Sequence, residues 1–183
     1  MNQTFAHYRA AVITRDASLA AVEDDLALHF DRDPFADQVT RLCAYRGVTR
    51  MVALTLASEV CDWRRFPTAR RFMSFCGLVC SEHSTGLTNH RGNLTKAGNS
   101  HIRAQLVESA WSYQHRPSLG TAIAERQQGL PAEVSARAWA AQLRLCGRFR
   151  HLDARKNVKS VVAAAIAREL AGFLWAEMTA GTA

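Results

Sequence analysis

The densest concentration of reactive side chains in this sequence is the run Ser81-Glu82-His83-Ser84-Thr85-Gly86, three hydroxyls beside an imidazole and a carboxylate. A hydroxyl becomes a useful nucleophile when a base reaches it in space, so the run suits attack on an acyl carbon or on a phosphate. For acyl transfer the G-x-S-x-G elbow that exposes a serine is missing, and neighbours on a loop often point apart. A hydrolase using Ser84 with His83 stays an alternative. Attack on phosphate finds more support in the residues immediately downstream. Arg91, Lys96, His101 and Arg103 come next, interleaved with Asn89, Asn93 and Asn99. Gly and Asn let backbone approach a ligand closely, while Arg and Lys neutralise phosphate charge. A second basic cluster is Arg144, Arg148, Arg150, Arg155, Lys156 and Lys159, with only Asp153 among them, and a third is Arg64, Arg65, Arg70 and Arg71. One such cluster reads as a solvated helix face, but three around a hydroxyl-rich loop point to nucleic acid. The candidate contacts are Arg91, Lys96, Asn99, Arg103, Arg64, Arg65, Arg148, Arg155 and Lys156.

Metal is the other chemistry to weigh. Cys76, Cys80 and His83 lie close together, with His90 further on. Structural zinc draws two tight ligand pairs, and here there is one loose pair, so no metal site is assigned to this chain. The five cysteines are odd in number and form no disulfide framework, which leads us to expect reduced thiols and a cytoplasmic location.

The elements that must position these groups read as helical. Phe5, Tyr8, Val12, Arg15, Leu19, Val22, Leu26 and His29 alternate spacings of three and four, a heptad seam over the first thirty residues. The seam predicts a coiled-coil-like arm over 1–33, and an amphipathic helix lying on a globular body is the alternative. A domain over 34–180 comes after it. Helices are predicted at about 36–46 and 50–60, joined by a turn at Gly47 that either aims backbone N–H groups at a phosphate or simply closes a helical hairpin. Thr68 caps a further helix to about Cys76, with Gly77 as its stop. Residues 78–98 lack helical periodicity and form one long Gly/Ser/Thr-rich loop, part of which can pair as a short β-hairpin. Asn99 or Ser100 then caps a helix to about His115, and three more helices run at about 118–128, 131–151 and 157–178. The fold class is all-α.

Length and charge bound the function. At 183 residues and 48% hydrophobic, the chain has material for a sizeable core, which excludes a disordered chain. The most apolar stretch, 158–178, carries Lys159, Arg168, Glu169 and Glu177, which excludes a membrane span. Residues 1–60 hold six basic and eight acidic groups, whereas 61–116 hold eight against three and 117–183 nine against five. All of the net charge of +7 therefore arises after residue 60, where it favours a polyanionic partner.

Several runs carry a family likeness: Arg46-Gly47-Val48, Ala53-Leu54-Thr55-Leu56-Ala57-Ser58-Glu59, Arg65-Phe66-Pro67-Thr68-Ala69-Arg70 and Phe75-Cys76-Gly77-Leu78. The hydroxyl run 81–86, Arg91-Gly92-Asn93-Leu94-Thr95-Lys96-Ala97-Gly98-Asn99, Leu106-Val107-Glu108-Ser109-Ala110-Trp111 and the stretch 162–170 complete the set. In this order they resemble the C-terminal domain of the IS-one-ten insertion-sequence transposases, relatives of the Piv-type DNA invertases. The resemblance runs from about residue 5 to 178. It implies a bacterial, nucleoid-associated DNA recombinase built from a RuvC-like half with four acidic metal ligands, a coiled-coil link and a C-terminal domain whose serine attacks a DNA phosphate. It also implies a bridge RNA pairing with donor and target DNA.

This chain resembles the link and the C-terminal domain. The RuvC-like half has no counterpart in it, so Mg2+ is expected in that missing half and no cofactor in this chain. The implied nucleophile position, directly before Gly86, holds Thr85, whose methyl crowds attack and restricts its rotamer. Ser84 adjoins it and substitutes only if the loop shifts. The implied partners are DNA, a structured guide RNA and a second copy through the N-terminal helix, with no membrane. Strand transfer by this chain alone is not expected. A non-catalytic nucleic-acid-binding or dimerisation module is the alternative.

Overall fold

The computed structural model describes residues 3–85, 88–155 and 158–180, with the backbone alone at 82–85, 88–91 and 93. Helix α1 (Gln3–Ala27) leads into α2 (Ala36–Leu42) and α3 (Arg50–Val60), and α4 (Ala69–Phe75) precedes strands β1 (Cys80–Thr85) and β2 (Thr88–Leu94). Then come α5 (Ser100–Trp111), α6 (Thr121–Arg126), α7 (Ala132–Ala154) and α8 (Lys159–Thr179). Among the described residues the fold is all-α apart from one antiparallel pair of strands.

Helix α8 is the hub. Its sequence is apolar nearly all round, and a helix of that kind must be surrounded to leave water. It packs against α2, α4, α5 and α7. It buries Val162, Ala163, Ile166, Ala167, Leu170, Ala171 and Leu174, and the small Ala residues let its neighbours approach closely. The apolar spacing of the sequence also puts Val158 and Val161 on this face, but they lie at the N-cap and first turn of the helix and are exposed. The apolar spacing puts Ile102, Leu106, Ala110 and Trp111 of α5, and Val134, Ala138, Ala141, Leu145 and Leu152 of α7, each on one inward face; all are buried as the 3.6-residue period requires except Trp111 and Leu152, which are half-buried. No helix among the described residues is long and apolar enough to cross a membrane.

Helix α6 is shorter than expected, at Thr121–Arg126, and α7 runs on to Ala154; three further differences have a plain local cause. Helix α2 ends at Leu42 rather than near 46, because the buried Cys43, Ala44 and Tyr45 turn inward through tight bonds from Ala44 N to Arg41 O and Tyr45 N to Leu42 O. Helix α5 ends at Trp111, and a 3-10 turn at Ser112–Gln114 takes the place of its last turn. The segment read as a loop with a hairpin inside it is a hairpin for most of its length. The Gly47 turn closes a plain helical hairpin: Gly47 sits against the Ser109 carbonyl and Ser112, and Thr49 caps α3 by accepting from Val52 N.

Helix α1 stands apart. None of its residues is buried. Phe5, Tyr8, Val12, Leu19, Val22 and Leu26, all on the predicted seam, are exposed, so the apolar stripe does not lie on the helical body. The body takes hold of the chain only after α1, at the buried Phe30, over whose ring the Arg50 guanidinium sits at 5.6 Å.

Candidate functional site

The hairpin carries the hydroxyls, and its base is held by a set of polar contacts. Construction begins with α4. Thr68 accepts from Arg71 N and caps its start. Its end is a Schellman motif: Leu78 N donates to Met73 O at 2.9 Å and Gly77 N to Ser74 O at 2.8 Å. Gly77 has φ +67°, the left-handed conformation that this motif requires. The reversed chain enters β1 at Cys80. The partner strand leaves at Leu94, and Thr95 N donates to Val79 O at 2.9 Å to close the base.

The register pairs Cys80 with Leu94, Glu82 with Arg91, His83 with His90, Ser84 with Asn89 and Thr85 with Thr88. The shift between Cys80 and Glu82 is a β-bulge that gives β2 one extra residue, and Gly92 lies at it, close against Ser81. The strands thus carry Ser84 and Thr85 to the far end of the pair, away from the helical body. The side chains of Ser84, Thr85 and Arg91 lie outside the described residues, as does Gly86.

Below the hairpin the return strand is locked to α4 and α5. Gly98 has φ +132°, and a β-carbon there would run into the Phe75 carbonyl, so only glycine fits. Asn99 N donates to Phe75 O at 2.7 Å. The Asn99 side chain accepts from Ile102 N at 3.0 Å, capping α5, while its amide donates to Glu59 Oε2. The other carboxylate oxygen, Oε1, is 2.8 Å from His101 Nδ1. Hydrogen bonds from Asn99 first, and then from His101, hold the Glu59 carboxyl below its usual range despite its partial burial. Arg103 Nη1 bridges the two stems, donating to Cys76 O at 3.2 Å and to Lys96 O at 3.1 Å.

The predicted site residues therefore divide. Lys96, Asn99 and Arg103 meet at the hairpin base, and Asn99 and Arg103 hold the fold there. Lys96, at φ +52°, is exposed. Arg64 is tied to Asp62 at 3.2 Å. Arg65 lies 4.7 Å from the ring centres of both Phe66 and Phe75, on the flank of α4. Arg148 sits on α7 and shares Glu169 with Arg144, both at 3.2 Å. Arg155 is exposed at the end of α7, and Lys156 lies outside the described residues. Among the described residues no three His, Cys, Asp or Glu gather into a metal site, and Cys76 is buried, its thiol pushed up to about 12 by desolvation.

Two features escaped the sequence reading. One is Glu59, which gathers Asn99 and His101 from 40 and 42 positions away, a pairing that no local spacing can signal. The other is an open cleft of about 440 Å³ lined by Thr68, Arg70, Arg71, Ser74, Val79 and Cys80, between α4 and the start of β1. Arg70 and Arg71 were visible as a basic pair, but only the Schellman turn brings them beside the first strand.

A family model described as the transposase IS116/IS110/IS902 family matches residues 39–123, which include α3, α4, the hairpin and α5. The chain is 47% identical over 138 residues to a Sinorhizobium fredii protein named as transposase y4qE, covering 75% of this chain and 35% of that one. It is 30% identical over 162 residues to the transposase for insertion sequence element IS1533 of Leptospira borgpetersenii, covering 86% and 46%. It is 29% identical over 161 residues to the transposase for insertion sequence element IS1328 of Yersinia enterocolitica, covering 88% and 41%. The chain thus spans between a third and a half of the length of these relatives.

Proposed function

We propose that this chain, which belongs to the transposase IS116/IS110/IS902 family, is a DNA-binding transposase module that presents the hydroxyl-bearing hairpin to a nucleic-acid phosphate. The observation that carries the reading is the hairpin base. A two-stranded arm held by the Schellman turn, the Arg103 bridge and the Glu59–Asn99 pair is a rigid mount, and beside it lies a cleft offering two arginines and two hydroxyl residues. Arginine neutralises phosphate and fixes its orientation, so Arg70 and Arg71 grip the backbone while the strands reach along it. Lys96 and Arg65 extend the basic surface around the base. Arg148 and Arg155, on α7, serve a second stretch of DNA or a structured guide RNA.

In this reading Thr85, or Ser84 if the hairpin shifts, is the nucleophile in site-specific recombination. Its oxygen bonds to the DNA phosphorus, the bond from phosphorus to one neighbouring sugar oxygen breaks, and that leaving oxygen takes up a proton. Charge builds on the phosphoryl oxygens during such a transfer and needs stabilisation. Three carboxylates of the helical body are already engaged: Glu59 by Asn99 and His101, Glu169 by two arginines, and Glu177 in the core. In this reading charge stabilisation beyond the arginines comes from an acidic metal-binding half on another chain segment, and the purified chain binds DNA without transferring strands. A second copy joins through α1.

The test is fluorescence anisotropy of the purified chain with duplex DNA and with structured RNA across a salt series. Log affinity is expected to fall linearly with log salt, with a slope near −0.9 per phosphate neutralised on duplex DNA. Arg70→Ala with Arg71→Ala should flatten that slope by about two phosphates' worth. Absence of binding at low salt, or a slope indifferent to the pair, overturns the reading. Thr85→Ala separates recombinase from pure binding module: it leaves binding intact in both cases and abolishes covalent capture of DNA, once the acidic half is supplied, only in the first.

A further inference from the structure

The arrangement of charge along α1 is the reverse of what an isolated helix favours. Its N-terminal half, through Arg15, carries Arg9 and Arg15 with no acid, and its C-terminal half carries Asp16, Glu23, Asp24 and Asp25 with no base. A helix has partial positive charge at its N-terminus and partial negative charge at its C-terminus, so the acids near its end, Glu23, Asp24 and Asp25, oppose its own dipole, while Arg9 and Arg15 lie beyond its first turn. Among the described residues none of the ion pairs involves an α1 charge. The apolar stripe on the same helix is uncovered, with Phe5 62%, Tyr8 67%, Val12 57%, Leu19 58% and Val22 54% exposed. Both anomalies disappear with one partner.

We infer that α1 pairs with α1 of a second copy in antiparallel orientation. The inference rests on the reading that two copies meet through this helix, and it adds which way round they meet. A parallel pair would set the three consecutive acids of one copy against those of the other and add the two dipoles side by side. The antiparallel pair sets each acidic end against a basic end and opposes the dipoles. The seam residues match in this orientation. With Val12 beside Val22 of the other copy, Tyr8 meets Leu26 and Arg15 meets Leu19, and the two helices overlap over residues 7–27, about 31 Å. Arg9, one position beyond Tyr8, then lies beside Glu23 of the other copy. Arg15, which a purely apolar seam would not contain, lies near the middle of the pair. There it lays its aliphatic stem on Leu19 and carries its charge toward Asp16 of the other copy. A polar seam residue of this kind fixes register at a cost in stability.

The test uses the full 183-residue chain in sedimentation equilibrium, with two charge variants. Arg9→Glu places glutamate against Glu23 at both ends of an antiparallel pair, and the dimer dissociation constant should rise about tenfold at low salt. Adding Glu23→Arg to the same chain restores opposite charges at both ends and should return affinity to the wild-type value. In a parallel pair both variants exchange like charges for like charges and neither changes affinity. A dimer indifferent to both overturns the orientation and leaves self-association standing. A dimer that also survives Val12→Asp with Leu19→Asp shows that the contact lies elsewhere. A monomer at all concentrations overturns self-association itself.

Discussion

Two carboxylates tie together distant parts of this chain, and they do so in opposite surroundings. Glu177, on the last turns of α8, is fully buried. Arg137 donates to it through Nε at 2.6 Å and Nη2 at 2.9 Å, Arg41 through Nη2 at 2.9 Å and Nε at 3.1 Å, and Tyr45 Oη at 3.1 Å. Glu59 is partly exposed, and its partners are a neutral amide and an imidazole whose side chain is three-quarters exposed. The first arrangement spends every lone pair on the fold, joining α2, α7 and α8. The second joins α3 to the start of α5 and leaves His101 open to solvent beside the hairpin base. A buried charge must be compensated completely, because the protein interior cannot screen it. A carboxylate at the rim of a site can hold a neighbour in place while leaving that neighbour accessible.

Breaking the buried arrangement should have the largest effect. Glu177→Ala leaves two guanidinium groups and the Tyr45 hydroxyl without their acceptor, and chemical denaturation should show a loss of about 3–5 kcal/mol. Gly98→Ala comes next. The substitution forces an alanine into φ +132° and drives its β-carbon into the Phe75 carbonyl. The expected loss is about 1–3 kcal/mol by thermal or chemical unfolding, and faster proteolysis should be confined to the hairpin. Glu59→Ala should cost about 1–2 kcal/mol or less in the same assay, because solvent can replace part of what it provides. Its effect on DNA affinity should exceed that of Glu177→Gln in a chain that still folds.

The smallest effect is in the acid limb of stability. Burial raises the Glu177 carboxyl, but hydrogen bonds from Arg137 and Arg41 outweigh it and hold the group below its ordinary 4.5. Glu59 is likewise lowered. A carboxyl depressed in the folded state contributes stability that is fully present above its unfolded value and is lost as pH falls through the folded one. Stability should therefore decline below about pH 4.5, and Glu177→Gln should flatten that decline more than Glu59→Gln.

Much of this architecture is written locally. The helices follow from apolar spacing, Thr68 and Asn99 are caps readable from their type and position, and Gly77 marks the end of α4 as a glycine at such a place should. The hairpin was only half legible, because Ser81, His83, Thr85 and their partners alternate no apolar face and so leave no period-two signal. Arg103 looked like a phosphate contact from its neighbours in sequence. Its role as a bridge between the Cys76 and Lys96 carbonyls depends on the two stems meeting, which is a tertiary fact. The cleft beside Arg70 and Arg71 and the reach of Glu59 to Asn99 are tertiary in the same sense. The charge reversal along α1, by contrast, was present in the sequence, and gains meaning once the seam is seen to be uncovered.

The claim that the hairpin is held by a mount built around Glu59 is tested most directly by amide hydrogen exchange of the Glu59→Ala chain against wild type at neutral pH. The account predicts that the amides of Thr95, Asn99 and Ile102, whose bonds close the hairpin base, exchange about tenfold faster while those of α8 keep their protection. Unchanged exchange at the base, or acceleration spread evenly over the whole chain, would contradict it.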